Sequence, residues 1–97
     1  MTFPLMVTGS GFDIAYGGGG GDSLFTGDGD DVAFGAAKSD FLNGGAGDDI
    51  LFGKKGDDFI RGSAGDDVLD GSKGEDACDG GSGRDDADDC EQTQDIP

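Results

Sequence analysis

The sequence predicts an all-β fold, a parallel β-roll, which is a right-handed β-solenoid with two short parallel sheets. Residues 8–88 divide into nine consecutive units of nine residues. The sixth position of every unit is aspartate, and the eighth position is always apolar or cysteine. Because a disordered tract rich in glycine and aspartate would not keep an apolar residue two places after the aspartate, the period indicates a structural repeat.

The composition restricts which partners the chain can bind. Its 97 residues include 22 glycines and 22 acidic residues but only 6 basic residues and no histidine, which gives a formal net charge of -16. Such a polyanion lacks the counterion release that drives binding to nucleic acid, and anionic membranes repel it. The chain also has no apolar run long enough to span a bilayer. We therefore expect cations as ligands, no nucleic-acid partner and no membrane span.

The repeat divides the chain into three segments. Residues 5–7 are in register with the strand of a preceding unit, so residues 1–7 are expected to form an N-terminal strand that caps the stack. Residues 8–88 form the roll, and residues 89–97 form a C-terminal cap with a frayed tail. The opening residues lack the basic and apolar regions of a secretory signal, so we expect no conventional N-terminal signal peptide.

Each unit combines six turn residues with three strand residues. Glycine dominates the first and fourth positions, where a missing Cβ permits the left-handed conformations of tight turns. Two units form one coil, so the turns of odd-numbered units stack along one edge of the solenoid and those of even-numbered units along the other. Coils stacked at about 4.8 Å bring the sixth-position aspartates of neighbouring turns close together.

Stacked carboxylates without histidine favour calcium, a hard cation that takes about 6 to 8 oxygen ligands in flexible geometry. If neighbouring aspartates on one edge share an ion, the roll holds at most about seven calcium ions, which would neutralise most of the net charge. The candidate metal ligands are Asp13, Asp22, Asp31, Asp40, Asp49, Asp58, Asp67, Asp76 and Asp85.

The unit resembles the GGxGxDxUx nonapeptide of the RTX (repeats-in-toxin) haemolysin-type calcium-binding family, and GGAGDDILF at residues 44–52 matches every defined position. The resemblance implies a roll with calcium ions in its turns, where backbone carbonyls of the glycine-rich positions complete each shell. The glycines assigned in this way are Gly18, Gly20, Gly27, Gly29, Gly44, Gly45, Gly47, Gly53, Gly56, Gly62, Gly65, Gly71, Gly74, Gly80, Gly81 and Gly83.

The same resemblance implies a function for the chain. We expect a calcium-binding module of a secreted protein, exported unfolded by type I secretion and folding on calcium outside the cell. The alternative is an extracellular adhesin, or a module that binds polysaccharide or protein through a sheet face. The chain has no histidine, no nucleophile paired with a base and no phosphate-binding loop, so we expect no enzyme.

Unit four departs from the motif. Ala36, Ala37 and Lys38 stand where the pattern has glycine, any residue and glycine. A lysine is costly where a positive φ is favoured, and its ammonium either competes with a bound cation or lies in solvent. We therefore expect the weakest binding where Asp40 contributes. Unit one is also irregular, which makes Asp13 an insecure ligand.

An outward-facing apolar strip is expected along the odd-numbered units. It consists of the seventh and ninth positions, Ile14, Tyr16, Val32, Phe34, Ile50 and Phe52. One interpretation is cross-strand pairing that only stabilises the sheet. The other is a docking surface for a linked catalytic or adhesive domain or for another copy of the chain.

The two cysteines allow two interpretations. Cys78 occupies the inward eighth position of unit eight, and Cys90 follows the last unit. They are either a core thiol and an unrelated surface thiol or a disulfide that closes a loop of about 13 residues and seals the end of the solenoid. The composition indicates a location outside the cytosol, which favours the disulfide.

Overall fold

The computed structural model describes residues 5–7, 9–19, 21, 23–88, 90 and 92–94. These residues form short strands and turns and no helix. The strands are β1 (Leu5–Val7), β2 (Ile14–Tyr16), β3 (Ser23–Phe25), β4 (Val32–Phe34), β5 (Phe41–Asn43), β6 (Ile50–Phe52), β7 (Phe59–Arg61), β8 (Val68–Asp70), β9 (Ala77–Asp79), β10 (Asp86–Asp88) and β11 (Gln92–Gln94).

The strands form two parallel sheets, because the chain enters the opposite sheet with each successive unit. The six-stranded sheet has the order β1-β3-β5-β7-β9-β11, and the five-stranded sheet has the order β10-β8-β6-β4-β2. Leu42 pairs with Ile60 in the first sheet, and Leu51 pairs with Leu69 in the second, so one coil is 18 residues. The prediction of a parallel β-solenoid with two sheets is confirmed. Nowhere in the described part of the chain is there a helix suited to crossing a bilayer.

The core is a double column of side chains from the middle of strands β2 to β9. Each is at most 2% exposed, whereas the flanking strand residues point outward. The core residues are Ala15, Leu24, Ala33, Leu42, Leu51, Ile60, Leu69 and Cys78. With one apolar residue per unit the hydrophobic contribution is limited, so the polar turns must supply much of the order.

Hydrogen bonds between coils continue from the strands into the turns. The N–H groups of Gly35 and Gly53 donate to the carbonyls of Phe52 and Asp70, both at 2.8 Å. In later units the ninth-position side chain also closes the next turn, as when Asn43 Oδ1 accepts from the Gly45 N–H at 3.0 Å. These Asx-type contacts hold each turn in register with the strand before it.

The two ends of the solenoid both join the six-stranded sheet. Strand β1 pairs with β3, as the register of residues 5–7 implies. The expectation of a frayed tail does not hold for Gln92–Gln94, which pair with β9 as strand β11. Cys78 and Cys90 form a disulfide with their Cα atoms 6.0 Å apart, and this bond returns the chain to the sheet after the last repeat. In the chain-entropy treatment, a disulfide that closes a loop of this length stabilises the fold by about 3 kcal/mol.

Candidate metal centre

The fourth position of each turn fixes the path of the backbone. Gly47 and Gly65 have φ values of +105°, in the region that side chains rarely adopt. A Cβ on Gly65 would also collide with the carbonyl oxygen of Gly47, one coil earlier. Glycine is therefore needed here both for its conformation and for close stacking, and the stacking directs a column of carbonyl oxygens along the edge.

The first-position glycine makes room for the aspartate of its own unit. A Cβ on Gly44 would lie 2.5 Å from Asp49 Oδ2, and a Cβ on Gly53 would lie 2.5 Å from Asp58 Oδ2. Both separations are shorter than real Cβ contacts. The missing Cβ thus lets the carboxylate fold back over the turn.

The sixth-position aspartates form a hydrogen-bonded ladder along each edge. On the odd-unit edge, Oδ1 of Asp67 accepts from the N–H of Asp49 at 2.8 Å, and Oδ1 of Asp85 accepts from the N–H of Asp67 at 2.8 Å. On the even-unit edge, Oδ1 of Asp58 accepts from the N–H of Asp40 at 2.8 Å. Each aspartate therefore joins its own turn to the turn before it.

The second carboxylate oxygen of these aspartates is buried. The residues from Asp31 to Asp85 in the ladder are at most 4% exposed. Oδ2 atoms that are buried without a hydrogen-bond partner include those of Asp13, Asp49, Asp58, Asp67 and Asp85. A buried anionic oxygen without a partner is costly, so each of these atoms favours either a proton or a cation.

The acidity of the aspartates reflects this environment. Burial raises the pKa of Asp49 and of Asp58 to about 8, and the neighbouring carboxylates of the same edge contribute to the increase. Burial, together with Asp85, raises the pKa of Asp67 to about 7. Burial also raises the pKa of Asp31 and of Asp85. Like charges stacked in a poorly solvated row resist ionisation unless a cation neutralises them.

The donor atoms of the turns fit calcium. Carboxylate and backbone carbonyl oxygens are the ligands that calcium prefers, and both cysteines are held in the disulfide. Among the described residues, no group of three acidic, histidine or cysteine side chains converges on one point. A calcium ion would therefore rely on Oδ2 atoms of the ladder and on turn carbonyls, rather than on a dense carboxylate cluster.

The structure places most predicted ligands on the two edges. The aspartates at 13, 31, 49, 67 and 85 follow one edge, and those at 40, 58 and 76 follow the other. Gly20 and Asp22 lie outside the described residues. The weak-ligand expectation for Asp13 stays a prediction, although its N–H donates to Asp31 Oδ1 at 2.8 Å as in the other units.

A second acidic ladder at the fifth position is not among the predicted ligands. Oδ1 of Asp30 accepts from the N–H of Asp48, and Oδ1 of Asp48 accepts from the N–H of Asp66, both at 2.8 Å. These side chains are exposed, and their bonds run in the opposite direction to those of the sixth position. The recurrence of Asp-Asp pairs in units three and five to seven is the sequence signal that could have revealed them.

These aspartate-lined turns define a class of protein, the repeat β-rolls that bind metal ions along their edges. The family described as RTX calcium-binding nonapeptide repeat (4 copies) matches residues 5–33, 25–60 and 55–87. The chain therefore belongs to the RTX calcium-binding nonapeptide repeat family. No curated protein matches the chain.

Without calcium, the chain should fold better at acid pH than at pH 8. An aspartate whose pKa is 3.8 in the unfolded chain and about 8 in the folded chain binds a proton more readily when folded, so its stabilising contribution is full below about pH 4 and falls as pH rises through 8. With chelator present, circular dichroism should show more β-structure at pH 4.5 than at pH 8. Calcium should bind more tightly as pH rises and should release protons. A calcium affinity that is constant from pH 5.5 to 8 would contradict the burial of these carboxylates.

The irregular turn of unit four gives a second prediction. Lys38 occupies the fourth position with φ +71°, which costs a residue with a Cβ about 1–2 kcal/mol. Lys38→Gly should relieve this strain, less about 0.5–1 kcal/mol of glycine entropy, and should tighten calcium binding several-fold on the even-unit edge. Isothermal titration and thermal unfolding in calcium measure both effects.

Two variants separate strain from charge at this position. Lys38→Ala removes the ammonium but keeps the strained Cβ, so it should improve calcium affinity and should gain less stability in calcium than Lys38→Gly. Ala37→Gly changes a neighbour whose φ is not positive, and it should lower stability. The interpretation of unit four is wrong if Lys38→Gly binds calcium no better than the unsubstituted chain.

Proposed function

We propose that the chain is the calcium-binding β-roll module of a secreted RTX-type protein and that it folds when it meets calcium outside the cell. The observation that carries the proposal is the pair of buried aspartate ladders, in which the Oδ2 atoms of Asp49, Asp58 and Asp67 have no hydrogen-bond partner. A fold that places anionic oxygens in its interior at this density needs a cation to be stable at neutral pH.

The charge of the chain explains how calcium would act. In low calcium, a net charge of -16 and stacked carboxylates within a Debye length of about 8 Å favour the unfolded chain. Calcium supplies positive charge at the ladder and joins neighbouring turns, with Asp49, Asp58 and Asp67 as central ligands. At most about seven ions shared between neighbouring turns would leave a net charge of about -2.

The family supports an extracellular role for this switch. RTX-type modules are expected to pass through a type I secretion channel unfolded, and an unfolded low-calcium state meets that need. Extracellular calcium modules have dissociation constants of about 10⁻⁴–10⁻³ M, which keeps them empty in the cytosol and loaded outside. The disulfide between Cys78 and Cys90 suits the same oxidising location. Folding would then stabilise any domain linked to the module.

We propose no catalytic activity for the chain itself. The adjacent aspartate pairs suggest acid and base chemistry, but the structure commits both members to backbone hydrogen bonds between coils. Asp48 accepts from the N–H of Asp66, and Asp49 accepts from the N–H of Asp31. The adjacent aspartates are thus accounted for by hydrogen bonds that join stacked turns. The family to which the chain belongs is described by calcium binding.

A calcium titration followed by circular dichroism tests the main proposal. We expect a cooperative gain of β signal with calcium and none with magnesium, because magnesium demands a tighter octahedral shell and keeps its water. Chelator should reverse the gain. A chain that is fully folded in excess chelator at neutral pH would contradict the proposal.

A second candidate function is a binding module that works through the outer face of the five-stranded sheet, either as an adhesin or as a contact surface for a linked domain or another copy. It is favoured by the exposure of Ile14 (55%) and Tyr16 (63%) on that face. A glycan array with and without calcium, together with sedimentation of the calcium-loaded chain, tests these roles. If the calcium-loaded chain shows no glycan binding and no self-association, the result would count against both roles.

A further inference from the structure

A groove lies where the outer face of the five-stranded sheet meets the turns of units four and six. Its volume is about 460 Å³, within the range of about 300–1,000 Å³ that is usual for sites that bind small organic molecules. We refer to it as the aromatic–lysine groove. Its lining residues are Tyr16, Phe34, Ala36, Ala37, Lys54 and Lys55.

One wall of the groove is a column of stacked rings. The centres of Tyr16 and Phe34 are 4.8 Å apart with planes at 11°, and those of Phe34 and Phe52 are 5.0 Å apart with planes at 6°. Phe34 is stacked on both faces, so it presents its ring edge to the groove. This wall suits an apolar chain or ring.

Two lysines line the groove beside the rings. Nζ of Lys54 lies 5.5 Å from the centre of the Phe34 ring and 5.7 Å from that of Phe52, and Lys55 is exposed beside it. None of the described residues that line the groove is acidic. In a chain with 6 basic and 22 acidic residues, two adjacent lysines on an apolar groove are a local reversal of charge. Charge complementarity therefore selects an anion.

We infer that the aromatic–lysine groove binds a small amphiphilic anion, with its apolar body along the ring column and one carboxylate or sulfonate headgroup at Lys54 and Lys55. The inference rests on the binding role proposed for this face and narrows it to a ligand class. Calcium loading assists by ordering the coils that carry Tyr16, Phe34 and Phe52 and by reducing the charge that repels anions.

The size of the surface favours a small ligand over a globular partner. The ring column crosses only three coils, with about 10 Å between the centres of its first and last rings. A stable protein interface buries about 800 Å² on each partner. The acidic Asp70 continues the ninth-position column after Phe52, so the apolar wall ends there.

Isothermal titration of the calcium-saturated chain with octane-1-sulfonate tests the inference, with octyltrimethylammonium as the probe of opposite charge. Lys55→Glu should weaken sulfonate binding about tenfold or more, since it replaces a charge-assisted contact by a repulsive one. Arg84→Glu is the matched control, because Arg84 is exposed, lies in a turn on the opposite, odd-unit edge and changes the net charge equally. It should alter the affinity less than about twofold.

Circular dichroism on the same samples separates this inference from the proposed function. Sulfonate binding that is lost in Lys55→Glu and retained in Arg84→Glu, with an intact calcium-induced β signal, supports the groove. The inference is overturned if the folded chain does not bind the sulfonate, if both variants lose it equally, or if the cationic probe binds as well. It is also overturned if calcium-loaded copies associate and bury the groove. Sulfonate binding that persists in chelator after the β signal is lost overturns it too, whereas absence of any calcium-induced β signal overturns the proposed function.

Discussion

Replacing Gly65 by alanine is expected to remove most calcium-dependent folding. Gly65 has φ +105°, which costs alanine about 1–2 kcal/mol, and its new Cβ would collide with the carbonyl oxygen of Gly47 in the coil below. Separating two stacked turns to relieve such overpacking costs about 1–3 kcal/mol more. The same shift displaces the ladder aspartates of both turns, so the calcium midpoint in circular dichroism should rise at least about tenfold.

Two further glycines supply graded controls for this variant. Gly11 occupies the same fourth position in unit one with φ +94°, but nothing lies within 4 Å of its Cβ position. Gly11→Ala should therefore show the conformational cost alone. Gly19→Ala, at an open position without a positive φ, should have little effect. If Gly65→Ala is no more harmful than Gly11→Ala, close stacking of the turns does not contribute to stability.

Much of the fold is predictable from the sequence because each nine-residue unit forms the same turn followed by the same short strand. The eighth position must be apolar since it is the inward side of a three-residue strand, and Leu42, Leu51 and Leu69 are all fully buried there. The spacing of 18 residues between paired strands follows from two units per coil. Register therefore needs no long-range information, because every coil only has to match its neighbours.

The finer geometry of the site is not predictable from residue types alone. The sequence does not show that Asp49 folds back over Gly44 or that one carboxylate oxygen is used by the backbone of the preceding coil. The left-handed backbone at the second position of a unit is also not evident from the sequence in units six and seven. There Lys54 and Ser63, rather than glycine, adopt φ values of +70° and +73°. Strand β11 escapes prediction because its pairing depends on the disulfide and on the end of the stack rather than on the repeat.

Replacing Asp67 separates the two roles of the ladder. Its Oδ1 accepts from the N–H of Asp49, and its buried Oδ2 is available to a cation. Asp67→Ala removes both, and leaving the buried N–H without an acceptor costs about 1–3 kcal/mol before any calcium is lost. Asp67 also lies between the turns of Asp49 and Asp85, so a gap there uncouples two halves of the stack. We expect the calcium midpoint to rise at least about tenfold.

Asp67→Asn should have effects of opposite sign in the two states of the protein. An asparagine oxygen can still accept from the N–H of Asp49, while the charge that burial disfavours is gone, so the calcium-free chain should show more β-structure at pH 8 than the unsubstituted chain. The calcium-loaded chain should be less stable, because a neutral amide is a weaker calcium ligand than a carboxylate.

Asp86→Ala is the matched control, since Asp86 is exposed on strand β10 outside the turns, and it should change neither state appreciably. Isothermal titration and circular dichroism of the three variants decide the matter. Equal losses of calcium affinity in Asp67→Asn and Asp86→Ala would show that the carboxylates act only as a diffuse charge and that the nine-residue register does not specify the ligands.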